Sequence, residues 1–189
     1  FSKSLFKINS YYMLGLSATP KRKDGLSMVF ELFLGDYVYK QTDNKKVNTE
    51  VNLIYYNDDS GYNQEKLMYN GKVNVPGMIN NICDNIDRTK LIIKIIQLCI
   101  QDNRTQILIL SDRRNHLNEI NSLILKDKIC SVGFYVGGMK EKDLKLSETK
   151  KVLLGTYSMS SEGMDIPKLN TLIMASPKSD IEQSIGRIQ

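Results

Sequence analysis

From Arg88 onward, runs that are apolar at every position alternate with segments whose apolar residues recur at helical spacing, and this alternation restricts the fold more than any other feature. The stretches "TQILIL", "CSVGFYVGG", "KKVLLGT" and "NTLIMAS" carry strand-type cores with no polar face to turn to water. Strands of that kind must be covered on both sides, the condition of a parallel sheet in an α/β protein. Between them, Leu91, Ile92, Ile95, Ile96 and Cys99, then Leu117, Ile120 and Ile124, mark the buried stripes of two amphipathic helices. Asp87 or Thr89 stands where the first of these needs its N-terminal cap. In the closing "SDIEQSIGRIQ", Ile181, Ile185 and Ile188 share one helical face, and Gln183 and Arg187 share the opposite one. The expectation is an α/β lobe, a parallel sheet with helices on both faces.

Upstream the pattern is less regular. "YYMLGLSATP" reads as a buried strand that leaves the sheet at Ser17 to Thr19 and is broken by Pro20. "DGLSMVFELFLG" reads as a short helix closed by Gly35, and "VNTEVNLIYY" as another strand, with a boundary near residues 36 to 45. Residues 57–86 carry Gly, Asn and Pro without a sustained period and read as an irregular helical excursion. Because the chain starts on Phe1 and ends inside a helical pattern, it reads as an internal piece of a longer protein.

In open α/β sheets, ligands sit beyond the carboxyl ends of the strands. The unusual residues collect there: Ser17-Ala18-Thr19, Ser111-Asp112-Arg113, Gly137-Gly138, and the stretch from Thr156 to Asp165. In "GTYSMSSEGMDIP", small hydroxyls and exposed amides suit phosphate oxygens and Asp165 suits a sugar hydroxyl, while a plain polar turn with Asp165 as a helix cap accounts for the same residues.

Composition narrows the chemistry. His116 is the only histidine, so this chain alone assembles neither a histidine metal site nor a Ser-His-Asp triad. Cys83, Cys99 and Cys130 are odd in number and too widely spaced for a metal knuckle, as in a reducing compartment. No apolar run approaches a membrane span and no signal-peptide pattern opens the chain, so a soluble intracellular location, with no membrane partner, is expected. The formal net charge is +5, and basic residues follow several strands (Lys21 to Lys23, Arg113 and Arg114), either as solvated surface or as a rim that tracks nucleic acid.

"GLSATP", "ILILSD", "GTYSMSSEGMDIP" and "QSIGRIQ" resemble, in order, motifs III, IV, V and VI of superfamily 2 helicases. Details such as "LGLSATPKRKDGL" look most like the DEAD-like helicases of large DNA viruses, a group that includes the poxviral transcript-release helicase. The resemblance implies two RecA-like lobes that close on ATP and Mg²⁺, both held mainly by the first lobe. Residues 1–38 would then end that lobe, and residues 39–189 would form nearly all of the second. It implies that Arg187 reaches the γ-phosphate, with Gln183 orienting it and Gly186 allowing close approach, and that Gly163 and Asp165 meet the nucleotide. Thr156, Ser111, Arg113, Gly137 and Gly138 would contact the backbone of DNA or RNA, and Ser17 and Thr19 would couple the two sites.

A P-loop needs G-x-x-x-x-G-K-[ST], and "YNGKVN" offers only Gly71-Lys72; no Asp-Glu pair occurs either. The stretch by itself is therefore expected not to hydrolyse ATP. A second reading keeps the lobe as a nucleic-acid or protein binding module without hydrolysis, and a third makes it a doubly wound transferase domain.

Overall fold

The computed structural model describes residues 7–17, 25, 27–40, 50–161, 164, 166–179 and 181. The chain forms two compact units, Phe1–Thr49 and Glu50–Gln189.

In the first unit the described residues form one helix, α1 (Met28–Leu34). Gly35 closes it at φ 80°, its N–H donating to the Glu31 carbonyl at 2.9 Å. Residues 11–17 are exposed and form no strand, which corrects the expectation of a buried strand there. An apolar run becomes a strand only where a neighbour completes its ladder, and among the described residues none pairs with this one. The run at 50–56 in the second unit forms no strand for the same reason.

The rest of the second unit begins with a small antiparallel bridge, Leu67 to Val73, and two helices in succession, α2 (Val75–Asp84) and α3 (Ile86–Cys99). The Asn74 side chain caps α2 by accepting from the Gly77 N–H at 2.9 Å, and Pro76 lies in the first turn, where its missing N–H costs nothing. Asn85 ends α2 and caps α3, accepting from the Arg88 N–H at 2.8 Å. The expected cap at Asp87 or Thr89 is thus displaced to Asn85, because Thr89 is needed in the interior.

There follow β1 (Ile107–Leu110), α4 (Arg114–Lys126), β2 (Val132–Tyr135), α5 (Glu141–Ser147), β3 (Val152–Gly155), α6 (Tyr157–Ser161) and β4 (Thr171–Met174). The four strands form one parallel sheet in the order β2-β3-β1-β4. Along β1 the side chains alternate between two cores. Ile107 and Ile109 join Val152 and Leu154 under Ile92, Ile93, Ile96, Leu117, Ile120 and Ile124 of α3 and α4. Leu108 and Leu110 join Leu153, Tyr157, Met164, Ile166 and Leu169 on the opposite face. Helices therefore cover both faces, as the apolar strands require.

On β2, a Cβ added at Gly133 would lie 2.7 Å from the Ser147 Cα, so α5 reaches the sheet only over a glycine. No described helix is long and apolar enough to cross a membrane.

Candidate functional site

Parallel pairing brings the strand ends to one rim. Leu110 is in register with Gly155 and Met174, and Tyr135 with Gly155, so Ser111, Gly137-Gly138, Thr156 and Ser176 all emerge at the carboxyl edge.

Beneath that rim lies a buried polar chain. Ser111 and His116 are both buried, and the Ser111 hydroxyl lies 3.2 Å from His116 Nδ1. His116 Nε2 lies 3.3 Å from the Thr89 hydroxyl, which donates to the Asn85 carbonyl at 3.0 Å. Thr89 spends its only proton there, so Nε2 carries the imidazole proton and Nδ1 accepts from Ser111. The Ser111 oxygen in turn accepts the Arg113 N–H at 3.2 Å and faces the Cys83 sulfur at 3.8 Å. Burial first, then the Arg88 charge, pushes the His116 pKa down to about 4, so the ring is neutral at pH 7. Burial likewise raises the Cys83 thiol above its ordinary range. The Ser111 side chain is thus turned inward and offers no accessible hydroxyl at the rim.

The two arginines that follow behave differently. Arg113 is held against α2: Nε donates to the Asn80 side chain and Nη2 to the Pro76 carbonyl at 3.2 Å. Arg114 is exposed, and its Nη2 donates to the Gly137 carbonyl at 2.5 Å. This bond joins the start of α4, which follows β1, to the loop after β2, around the end of β3, which lies between the two strands in the sheet. Gly138 stands at φ 89°, a conformation that favours glycine and sets the turn after β2.

After β3, the Thr156 carbonyl accepts from the Met159 and Ser160 N–H groups, both at 3.1 Å, and opens the single turn α6. The hydroxyl-rich stretch, expected as a loop, begins as helix because Tyr157 anchors it. Tyr157 is buried and its hydroxyl donates to the Ser176 carbonyl at 2.6 Å; burial pushes its pKa up to about 12. The Thr156 and Ser158 hydroxyls lie 3.3 Å apart, with Ser158 exposed. Ser160 is fully buried, its hydroxyl donating to the Tyr157 carbonyl. Between β1 and β4, the Asp112 N–H donates to the Ser176 hydroxyl at 2.9 Å, and Lys178 pairs with Asp112 at 3.6 Å while lying 5.4 Å from the Tyr157 ring centre.

The structure therefore brings Ser111, Arg113, Gly137, Gly138 and Thr156 to one edge. Ser17 is exposed in the first unit. Thr19, Gly163, Asp165, Gln183, Gly186 and Arg187 lie outside the described residues. Arg114 is one of the basic residues expected at a strand exit, but its bond to the Gly137 carbonyl, like the place of His116 between two buried hydroxyls, has no sequence signal of its own. The described residues do not fit a triphosphate site by themselves, since Ser111, Tyr157 and Asp112 are each committed to protein partners. Nor do they bring together three metal-ligating side chains.

The profile of the helicase conserved C-terminal domain matches residues 87–189. A protein of Acanthamoeba polyphaga mimivirus, named as the ATP-dependent RNA helicase L396, is 36% identical over 193 residues, covering 100% of this chain and 37% of that protein. A protein of Invertebrate iridescent virus 6, named as the helicase 161L, is 28% identical over 207 residues, covering 98% of this chain and 44% of that one. Among solved structures, that of T4 UvsW is similar at a TM-score of 0.50 and 25% identity, over 62% of this chain and 25% of the other. The chain spans about two fifths of the length of the viral relatives it matches.

Proposed function

Because this chain belongs to the helicase conserved C-terminal domain family, we propose that it supplies the second, closing lobe of an ATP-dependent nucleic-acid helicase or translocase of a large DNA virus or phage. In this reading residues 1–38 end a first RecA-like lobe and residues 39–189 form the second. The triphosphate and Mg²⁺ are held by the first lobe, which fits the lack of a P-loop in this chain.

The observation that carries the reading is the joined rim. Arg114, the Gly137-Gly138 turn and Thr156 lie along one polar edge, Arg114 bonded to the Gly137 carbonyl and the Thr156 N–H to the Tyr135 carbonyl at the end of β2. Guanidinium, backbone amides and hydroxyls recognise sugar and phosphate without reading sequence. Such an edge suits a DNA or RNA strand that slides by a step each time the lobes close. Arg113, expected at the same surface, acts indirectly by holding α2 to the rim. Ser111 acts from below, through His116.

In the same reading Arg187 presents its guanidinium toward the γ-phosphate, with Gln183 orienting it and Gly186 allowing close approach; a fixed positive charge there stabilises transferring phosphoryl oxygens, and such arginines are worth about 10³ to 10⁵ in turnover. Gly163 and Asp165 meet the nucleotide, and Ser17 and Thr19 couple the cleft to the track. The test is ATP turnover by the full-length protein. Arg187→Ala should remove most nucleic-acid-stimulated turnover while nucleotide affinity stays within several-fold, and unchanged turnover would refute the role.

A further inference from the structure

A short hairpin stands beside the rim with no role in the reading so far. Leu67 bridges Val73, and the Asn74 N–H donates to the Lys66 carbonyl at 2.7 Å. The Gly71 N–H donates to the Met68 carbonyl at 2.9 Å, which closes a β-turn with Tyr69 and Asn70 at its centre. Gly71 follows at φ 75°, the left-handed position that a three-residue hairpin loop requires. The Asn70 side chain accepts the Lys72 N–H at 3.1 Å and stiffens the tip.

The tip carries a side chain that no folding argument explains. Tyr69 has 110% of its reference exposure, so it buries nothing, although an aromatic ring is among the largest apolar surfaces a protein can bury. Lys66 and Lys72 flank it and are exposed, Lys66 Nζ spending one of its three donors on the Asn81 side chain of α2. An aromatic ring between lysines matches a nucleic-acid strand, in which a flat base alternates with an anionic phosphate.

The hairpin is also placed. It runs directly into α2 through Asn74, and α2 is tied to the loop after β1 by Arg113, at Pro76 and Asn80. Arg113 and Arg114 are neighbours, so the residue that anchors the hairpin adjoins the one that joins the rim loops. This accounts for an arginine at a strand exit whose guanidinium is spent inward.

We propose that Tyr69 is a stacking residue for an unpaired base of a single-stranded DNA or RNA, with Lys66 and Lys72 facing the adjacent phosphates. The assignment rests on the nucleic-acid reading above. Stacking needs a π-face and tolerates any base, so the contact adds affinity without sequence preference.

The experiment measures binding of full-length protein to a labelled single-stranded homopolymer by anisotropy, for wild type and for Tyr69→Ala, Tyr69→Phe and Tyr69→Leu. Tyr69→Ala should weaken binding by about five- to a hundred-fold, and Tyr69→Leu should fall with it. Tyr69→Phe should stay within about two-fold of wild type. A strand bearing 5-iodouracil should crosslink to Tyr69. Wild-type affinity in Tyr69→Ala overturns the proposal and leaves the nucleic-acid reading intact. Full retention by Tyr69→Leu also overturns it, since an apolar protein contact accepts leucine and a stack does not. No strand binding by wild type overturns both.

Discussion

The His116 imidazole lies 3.2 Å from the Ser111 hydroxyl through one nitrogen and 3.3 Å from the Thr89 hydroxyl through the other, so one ring links the end of β1 to α3. Every polar atom of that chain has a partner of the right sense only while the ring is neutral. A protonated ring would present a donor to a Ser111 hydroxyl already oriented to donate.

This predicts a particular loss of stability in mild acid. The folded pKa of about 4 lies below the ordinary histidine value of 6.5, so the unfolded chain binds the proton more readily. The contribution of His116 is complete above pH 6.5 and is lost as the pH falls toward 4, at a rate of at most about 1.4 kcal/mol per pH unit. Denaturant midpoints measured across that window should show the slope in wild type. In His116→Gln, which keeps polar atoms but does not titrate, the slope should flatten by that amount.

The close passage of α5 over β2 supports a second prediction. A methyl group at Gly133 would meet backbone atoms of Ser147, which cannot rotate away, so sheet and helix must separate. Gly133→Ala should cost about 1–3 kcal/mol, the range of overpacked cores, read as a lower denaturant midpoint. A midpoint equal to that of wild type would show that α5 packs elsewhere.

Much of the sheet was legible because its strands are apolar on both faces, and 107–110, 132–135, 152–155 and 171–174 all fall in the runs that marked them. The stripes of α3 and α4 were legible for the same reason. Apolarity misled where no ladder partner exists, as at residues 11–17 and 50–56. Helix α2 falls within the helical excursion expected at residues 57–86, but its bounds were not legible because Pro76 and Gly77, which suit its first turn, are also loop residues. Helix α5 lay inside a lysine-rich stretch whose packing depends on the absence of a side chain at Gly133. At the rim, the strand exits were legible but the division of labour was not. Adjacent arginines look alike in sequence, and only the position of α2 turns Arg113 inward and leaves Arg114 outward.

That division gives the measurement closest to the central claim, that the joined rim of β1, β2 and β3 carries a nucleic-acid strand. Single-strand affinity of the full-length protein should be followed against salt for wild type, Arg114→Ala and Arg113→Ala. Arg114→Ala should weaken binding on any sequence and reduce the salt slope by about one phosphate contact, whereas Arg113→Ala should keep the wild-type slope. If Arg114→Ala binds with wild-type affinity and slope, the strand does not run along this rim.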